Sequence, residues 1–365
     1  MPEEQVALTS SQLQQMALML CTAAGIPQQE AEIFVDTLLS ADLEGVSSHG
    51  VVRLPAFLRR IRSGSISVPS PLRWVSQHGA LALLDAGNGL GQVAAHAAMK
   101  WAIDKAERVG LAAVSVRNSN HFGRGAYYAR MASDAGMIGL AFTNASPRLA
   151  PTGASVPFLG NNPWALAVPS HGGSPIIVDM ACSIVSAGSI RLALRERRTI
   201  PPGWALDRRG RPTTDPAAAL EGTLLPVGGY KGYAMSLAVS ILTAFLAGGA
   251  WDREVAPIDD LNKPQRVSHF LACIDPGWIG SRAEFSRRLA MFADTVRRLP
   301  AAEGMDGPRL PGDRAAAERS RRLNDGIPLS RELLRQLRDL AQELGEGHRF
   351  EVLVNEGSGR EGSAL

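Results

Sequence analysis

The sequence predicts an α/β protein in which helices from both chain ends pack beside a central, sheet-containing region. Three observations carry this reading. Apolar residues recur at helical spacing through the first 65 residues, short apolar runs alternate with Asn-, Gly- and Pro-rich loops from about Leu72, and helical texture returns from Ala283. Residues 1–72 and 283–344 are therefore expected to form one helical domain, residues 73–282 an α/β domain, and residues 345–365 a loose tail.

The first helix is capped at Thr9-Ser10, buries Leu13, Met16, Ala17, Leu20 and Cys21 on one face, and stops at Ala24-Gly25 before Pro27. A second runs from Gln28 to about Leu43. A third, expected from Ser47-Ser48 to Gly64, would carry His49, Arg53, Phe57 and Arg60. Strands follow at Leu81–Leu84, Ala112–Val116, Ile138–Phe142, Ala165–Val168 and Pro175–Val178, with helices at Gln92–Arg108 and through Tyr127-Tyr128. From Ala283 the helices carry arginine-rich faces around Arg287-Arg288 and Arg319–Arg322, and Phe350–Val354 reads as a short strand within the tail.

Composition narrows the function classes. With 45% hydrophobic and 20% charged residues the chain is an ordinary globular protein. A net charge of +3 is too small to argue for nucleic acid, and the three cysteines, Cys21, Cys182 and Cys273, lie too far apart for a disulfide framework or a zinc spacing. The scattered histidines suggest no metal site. With no secretion signal read at the N-terminus, a reduced, cytoplasmic setting is expected. Tyr233–Trp251 is almost free of charge, but Ser236, Ser240, Thr243, Gly248 and Gly249 dilute it. It reads as a buried core or interface helix, with a membrane anchor as the competing reading.

Four segments have the composition of a site. Leu81–Asp85 followed by Gly87-Asn88-Gly89-Leu90-Gly91 imitates a dinucleotide fingerprint, but the third glycine arrives one position early and Gln92 stands in its place. A tight strand-to-helix turn is the preferred reading. In Ser48-His49-Gly50-Val51-Val52-Arg53 a helix would put His49 and Arg53 on one face, a planar guanidinium for a carboxylate beside an imidazole that exchanges a proton; the competing reading makes them surface residues behind a Ser48 cap. Arg117–Gly123 places His121 between a strand and a helix, either as a catalytic side chain or among ordinary turn formers. Gly228-Gly229-Tyr230-Lys231-Gly232 brings a lysine to a helix N-terminus without P-loop spacing, and a flexible linker is its alternative.

Together these segments resemble a known family. Ala41–Gly50 running into Arg53-Leu54-Pro55, then Asn118–Gly123, Thr143-Asn144, Ala150–Gly153, Leu159–Pro163, Val178–Ala181, Ile200–Asp207, Pro212–Pro216 and Gly228–Gly232, are similar in order to the malate/L-lactate dehydrogenase family over roughly residues 8 to 345. That is a group of non-Rossmann NAD(P)-dependent oxidoreductases. The resemblance implies a two-domain α/β fold whose central domain holds NAD or NADP, a homodimer, and hydride transfer on a small 2-hydroxy or 2-oxo carboxylic acid such as malate, lactate, sulfolactate or ureidoglycolate. A cyclic imino-acid reductase, or an inactive nicotinamide-binding relative acting through protein contacts, are the alternatives.

By position, the resemblance makes His121 and His49 the catalytic pair, with His121 preferred as acid/base, and Ser48 and Arg53 the substrate contacts. It makes Ser146, Asp179, Met180, Ala181, Lys231, Gly312 and Asp313 the cofactor contacts. Two departures stand out. Ser186-Ala187-Gly188-Ser189 lacks the cations of the Ala-Arg-Gly-Lys run that relatives often carry, and Pro311-Gly312-Asp313 replaces a Pro-Gly-Glu motif.

Overall fold

The computed structural model describes residues 5–355. In chain order its elements are β1 (Gln5–Leu8), α1 (Ser10–Ala23), α2 (Gln28–Leu43), α3 (Leu54–Arg62), β2 (Arg73–His78), β3 (Leu81–Asp85), α4 (Gly91–Val109), β4 (Leu111–Ser119), α5 (Gly125–Asp134), β5 (Ile138–Thr143), β6 (Trp164–Val168) and β7 (Ile176–Met180). There follow α6 (Ala187–Arg195), β8 (Ala205–Leu206), β9 (Pro212–Thr213), α7 (Pro216–Glu221), β10 (Thr223–Leu224), α8 (Tyr230–Ser240), β11 (Val267–Ile274), α9 (Arg282–Arg297), α10 (Asp313–Asp325), β12 (Ile327–Ser330), α11 (Arg331–Glu343) and α12 (Gly347–Asn355).

Both chain ends build one apolar core. Thr9 caps α1 reciprocally with Gln12. The buried side of α1 and α2 (Leu13, Met16, Leu20, Phe34, Leu38) packs with Phe57, Leu337 and Phe350, and β1 pairs antiparallel with β12, Leu8 opposite Ile327. Two expectations are corrected here. The helix expected from Ser47 breaks into two 3-10 turns, Ser47–His49 and Val51–Arg53, before α3 begins at Leu54 with Pro55 in its first turn. The stretch Phe350–Val354 is helical rather than extended, and α12 buries Phe350 and Leu353, so residues 347–355 are docked instead of loose. Residues 356–365 lie outside the described residues.

The central sheet has seven strands in the order β2-β3-β4-β11-β5-β6-β7, parallel only between β3 and β4. Alanines at 94, 95, 98, 102 and 106 let α4 lie close against Leu84, Val114, Val116 and Leu271. A third apolar cluster (Leu149, Leu159, Ile190, Ala193, Leu224) joins α6 to the small β10-β8-β9 sheet. The helix α9 holds to the end of β11 through Arg282, whose Nε and Nη2 each reach Asp275 at 2.6 Å.

The β3-α4-β4 unit explains the imitation fingerprint. Gly87 and Asn88 take positive φ values of 55° and 65°, as a tight turn requires. The Asn120 side chain fills that turn, donating to Asn88 O, Asn88 Oδ1 and Gly89 O at 2.8–3.1 Å. At Gly91 a Cβ would lie 2.1 Å from the Asn120 carbonyl oxygen. The glycines thus seat the loop that carries His121. The apolar stretch after Lys231 becomes α8 and a π turn at Ile241–Phe245, one side of which is exposed. Among the described residues no helix is long and apolar enough to cross a membrane.

Candidate active site

The first candidate segment is shaped by a carboxylate nine residues upstream of Val51. Asp42 at the end of α2 accepts a hydrogen bond from Val51 N at 2.7 Å, which splits the expected helix at Gly50. A Cβ on Gly50 would lie 2.0–2.2 Å from the Asp42 carboxylate atoms, so only glycine fits. Arg322 of α10 clamps the same turn, donating to Asp42 O at 2.7 Å and Ser47 Oγ at 3.3 Å. Burial pushes the Asp42 carboxyl up to about 7 against the opposing pull of Val51, Arg322 and Ser47. In this frame Arg53 Nε donates to Ser48 O at 2.7 Å, and Ser48 Oγ lies 3.0 Å from His49 Nδ1.

The second segment arrives from β4. Gln265 Oε1 accepts from His121 N at 3.0 Å, and Gly123 N donates to His121 Nδ1 at 3.2 Å. That bond makes Nδ1 the acceptor and leaves the neutral ring's proton on Nε2. The rings of His121 and His49 stack with centroids 5.7 Å apart and planes 24° apart, with Phe57 behind His121 at 6.2 Å. Desolvation, then Arg53 and Arg124, bring His49 down to about 4. Desolvation, then His49 and Arg53, hold His121 well below the usual histidine range. Both imidazoles are neutral at physiological pH.

One cleft gathers Ser48, His49, Arg53, His121 and Ser146, with about 1040 Å³ of non-protein space including open solvent at its mouth. Its floor is held from below. Asn162 Oδ1 accepts from Ala145 N at 3.0 Å while its Nδ2 donates to Ser240 Oγ at 2.8 Å, and Asn144 bridges Ser268 N and Ala250 O. His269, set aside among the scattered histidines, joins Thr143 Oγ1 and Ser119 Oγ at 2.8 and 2.9 Å and stacks on Phe122 at 4.6 Å. It is a fully buried strut between β11, β4 and β5. The cleft also takes in Arg148 and Arg191, which the sequence reading did not single out.

The remaining expected cofactor residues gather elsewhere, about the edge strand β7. Asp179 on that strand is ion-paired with Arg124 at 3.1 Å, and Arg124 in turn reaches Glu44 at 2.7 Å. Ile177 N donates to Pro311 O at 3.0 Å, which sets Gly312 and Asp313 against β7, and Asp313 is held by Arg297 at 2.7 Å. Met180 and Ala181 end the strand and follow it. Lys231 is exposed at the start of α8, where Val227 N bonds Cys182 O. None of these six lines the cleft. Among the described residues no cluster of three or more His, Cys, Asp or Glu is placed to hold a metal.

A family model described as malate/L-lactate dehydrogenase matches residues 8–338. The chain belongs to the malate/L-lactate dehydrogenase family. It is 36% identical over 351 residues to the malate dehydrogenase of Pyrococcus abyssi, covering 94% of this chain and 96% of that one. It is 35% identical over 328 residues to the (2R)-3-sulfolactate dehydrogenase (NADP(+)) of Chromohalobacter salexigens, covering 89% and 95%. The solved sulfolactate dehydrogenase of Methanocaldococcus jannaschii superposes with a TM-score of 0.88 at 34% identity, covering 93% of this chain and 98% of that one.

Proposed function

We propose that the protein is an NAD(P)-dependent oxidoreductase that moves a hydride between nicotinamide and C2 of a small 2-hydroxy or 2-oxo carboxylic acid. The observation that carries this reading is the convergence of Arg53 and the stacked His49–His121 pair in one cleft. Arg53, its Nε tied to Ser48, offers its terminal nitrogens to the substrate carboxylate. His121 donates from Nε2 to the oxygen on C2, stabilising the negative charge that builds there during reduction. The proton gained by that oxygen comes from the stacked pair, in which a charge on one ring opposes a charge on the other. Both rings are depressed by the Arg53 charge, so a carboxylate bound there raises them and makes an imidazolium stable when substrate is in place. In oxidation the pair takes the hydroxyl proton back.

The cleft suits a dinucleotide. The first turn of α6 borders it; Ser186 Oγ accepts from Ser189 N there, and a phosphate would meet the remaining N–H groups of that turn and the positive end of the helix dipole. Ser146 and that turn would hold the cofactor within the cleft, and Met180, Ala181, Lys231 and Gly312 at β7 would hold the rest. Asp179 and Asp313, already paired with Arg124 and Arg297, would position these contacts. When bound, the nicotinamide supplies or accepts the hydride.

His121→Asn is expected to collapse turnover while NAD(P)H binding, followed by fluorescence, stays nearly intact. An unchanged kcat with every accepted 2-oxo acid overturns the assignment. The two core clusters support a two-domain division with the active cleft between them. Exposed Tyr230, Leu237, Ile241 and Phe245 on α8 and its π turn support a homodimer through that face, which Ile241→Glu should dissociate in light scattering. Three buried, unpaired cysteines support a cytoplasmic location.

A further inference from the structure

The cleft carries more positive charge than a lone carboxylate can satisfy. Three guanidiniums line it, from separate segments: Arg53 from the second 3-10 turn, Arg148 from the loop after β5, and Arg191 from α6. No carboxylate is among the lining residues. Among the described residues the acid ion-paired with a lining arginine is Asp259, 3.8 Å from Arg191 and largely exposed. Arg148 forms no ion pair among the described residues. Arg191's charge is felt at both Arg53 and Arg148, which places the three cations within electrostatic reach of one another. With both histidines neutral, three cations against one exposed carboxylate leave an excess of two positive charges.

We propose that Arg148 and Arg191 form a second anion subsite beside Arg53, which reads a second carboxylate or sulfonate at the far end of a short 2-hydroxy or 2-oxo acid. This rests on the oxidoreductase reading above, and it names the residues that select within it. A monoanionic substrate would pair Arg53 and leave one positive charge of Arg148 and Arg191 uncancelled. A dianion of three- to four-carbon length cancels the whole excess. Such a site rejects a substrate lacking the second charge far more strongly than a pocket rejects a missing methylene, because the unpaired cations are left behind. The same chemistry could be met by a phosphate of the dinucleotide, so the test separates the two sources.

The full-length protein and its Arg148→Gln and Arg191→Gln variants are assayed with oxaloacetate and pyruvate, which differ only in the second carboxylate. Wild type should prefer oxaloacetate, and each variant should reduce that preference about 10–100-fold, the loss of one charge-assisted contact. Thermal shifts without cofactor give an independent readout. Succinate should stabilise wild type more than butyrate does, and the difference should shrink in both variants. Equal shifts with succinate and butyrate, or an unaltered substrate preference, overturn the subsite while leaving pyruvate reduction to stand. Weakened NADPH binding with NADH binding unaltered reassigns the arginines to the cofactor and also overturns it. A succinate-specific shift in a protein that turns over no 2-oxo acid overturns the oxidoreductase reading and leaves the subsite in place.

Discussion

Replacing Arg53 by lysine keeps the charge and removes the fork. In the structure Nε is committed to Ser48 O at 2.7 Å, leaving two terminal nitrogens for a substrate carboxylate. Hydrogen bonds to charged groups contribute about 1.5–3 kcal/mol each. Lysine retains one such contact and cannot also hold Ser48 O, so about 1.5–3 kcal/mol of substrate binding is lost, a KM increase of about 10–150-fold. Arg53→Gln removes the charge as well. It lifts an opposing cation from both histidines, so the acidic limb of kcat/KM in the oxidation direction moves up from about 4, where His49 sits, toward the ordinary 6.5. Steady-state kinetics over pH 4–8 with both variants provides the assay. A lysine variant with wild-type KM, or a glutamine variant whose acidic limb stays put, would refute the placing of Arg53 at the carboxylate and beside the histidines.

Further outcomes follow from neighbouring features. Asp42 is raised from 3.8 to about 7 in the folded state, so between those values the native protein holds a proton the unfolded chain has lost; its contribution to stability therefore falls as pH rises, by up to about 1.4 kcal/mol per unit. Urea melts should show Asp42→Asn gaining on wild type from pH 5 to pH 8. Gly50→Ala forces a methyl into the Asp42 carboxylate, and should cost about 1–3 kcal/mol in melts together with most of the activity, because the turn holding His49 and Arg53 must shift. Phe350→Ala should destabilise by about 3–5 kcal/mol, a loss that a loose tail could not produce.

What the sequence made legible was local. Thr9-Ser10 announces the start of α1, and Gly25 and Pro27 its end, because capping chemistry acts within four residues. Strands β3 to β7 were readable as apolar runs between turn residues. The break at Gly50 was hidden, since the carboxylate that takes Val51's N–H comes from α2 and offers no periodic signal. Phe350–Val354 has strand composition, yet burial of Phe350 and Leu353, three apart, settles a helix: packing overrides propensity. Strands β1, β2 and β8 to β12 went unread, β1 and β12 because their pairing joins residues more than 300 positions apart. At the site, the histidines and Arg53 stood out through their motifs. Arg148, Arg191 and His269 did not, because only the tertiary fold brings them to the cleft or beneath it.

The clamp of Arg322 on the Ser47 turn has a bearing on how the enzyme comes into being. Every group proposed for proton transfer has been joined to the chain by residue 121, but the guanidinium that secures their scaffold, the strand that pairs with β1 and the helix bearing Phe350 are made more than 200 residues later. A nascent or prematurely terminated polypeptide therefore possesses both imidazoles without the frame that aims them. That frame is complete only when Arg322, β12 and α12 close back on β1, α1 and the Ser47 turn.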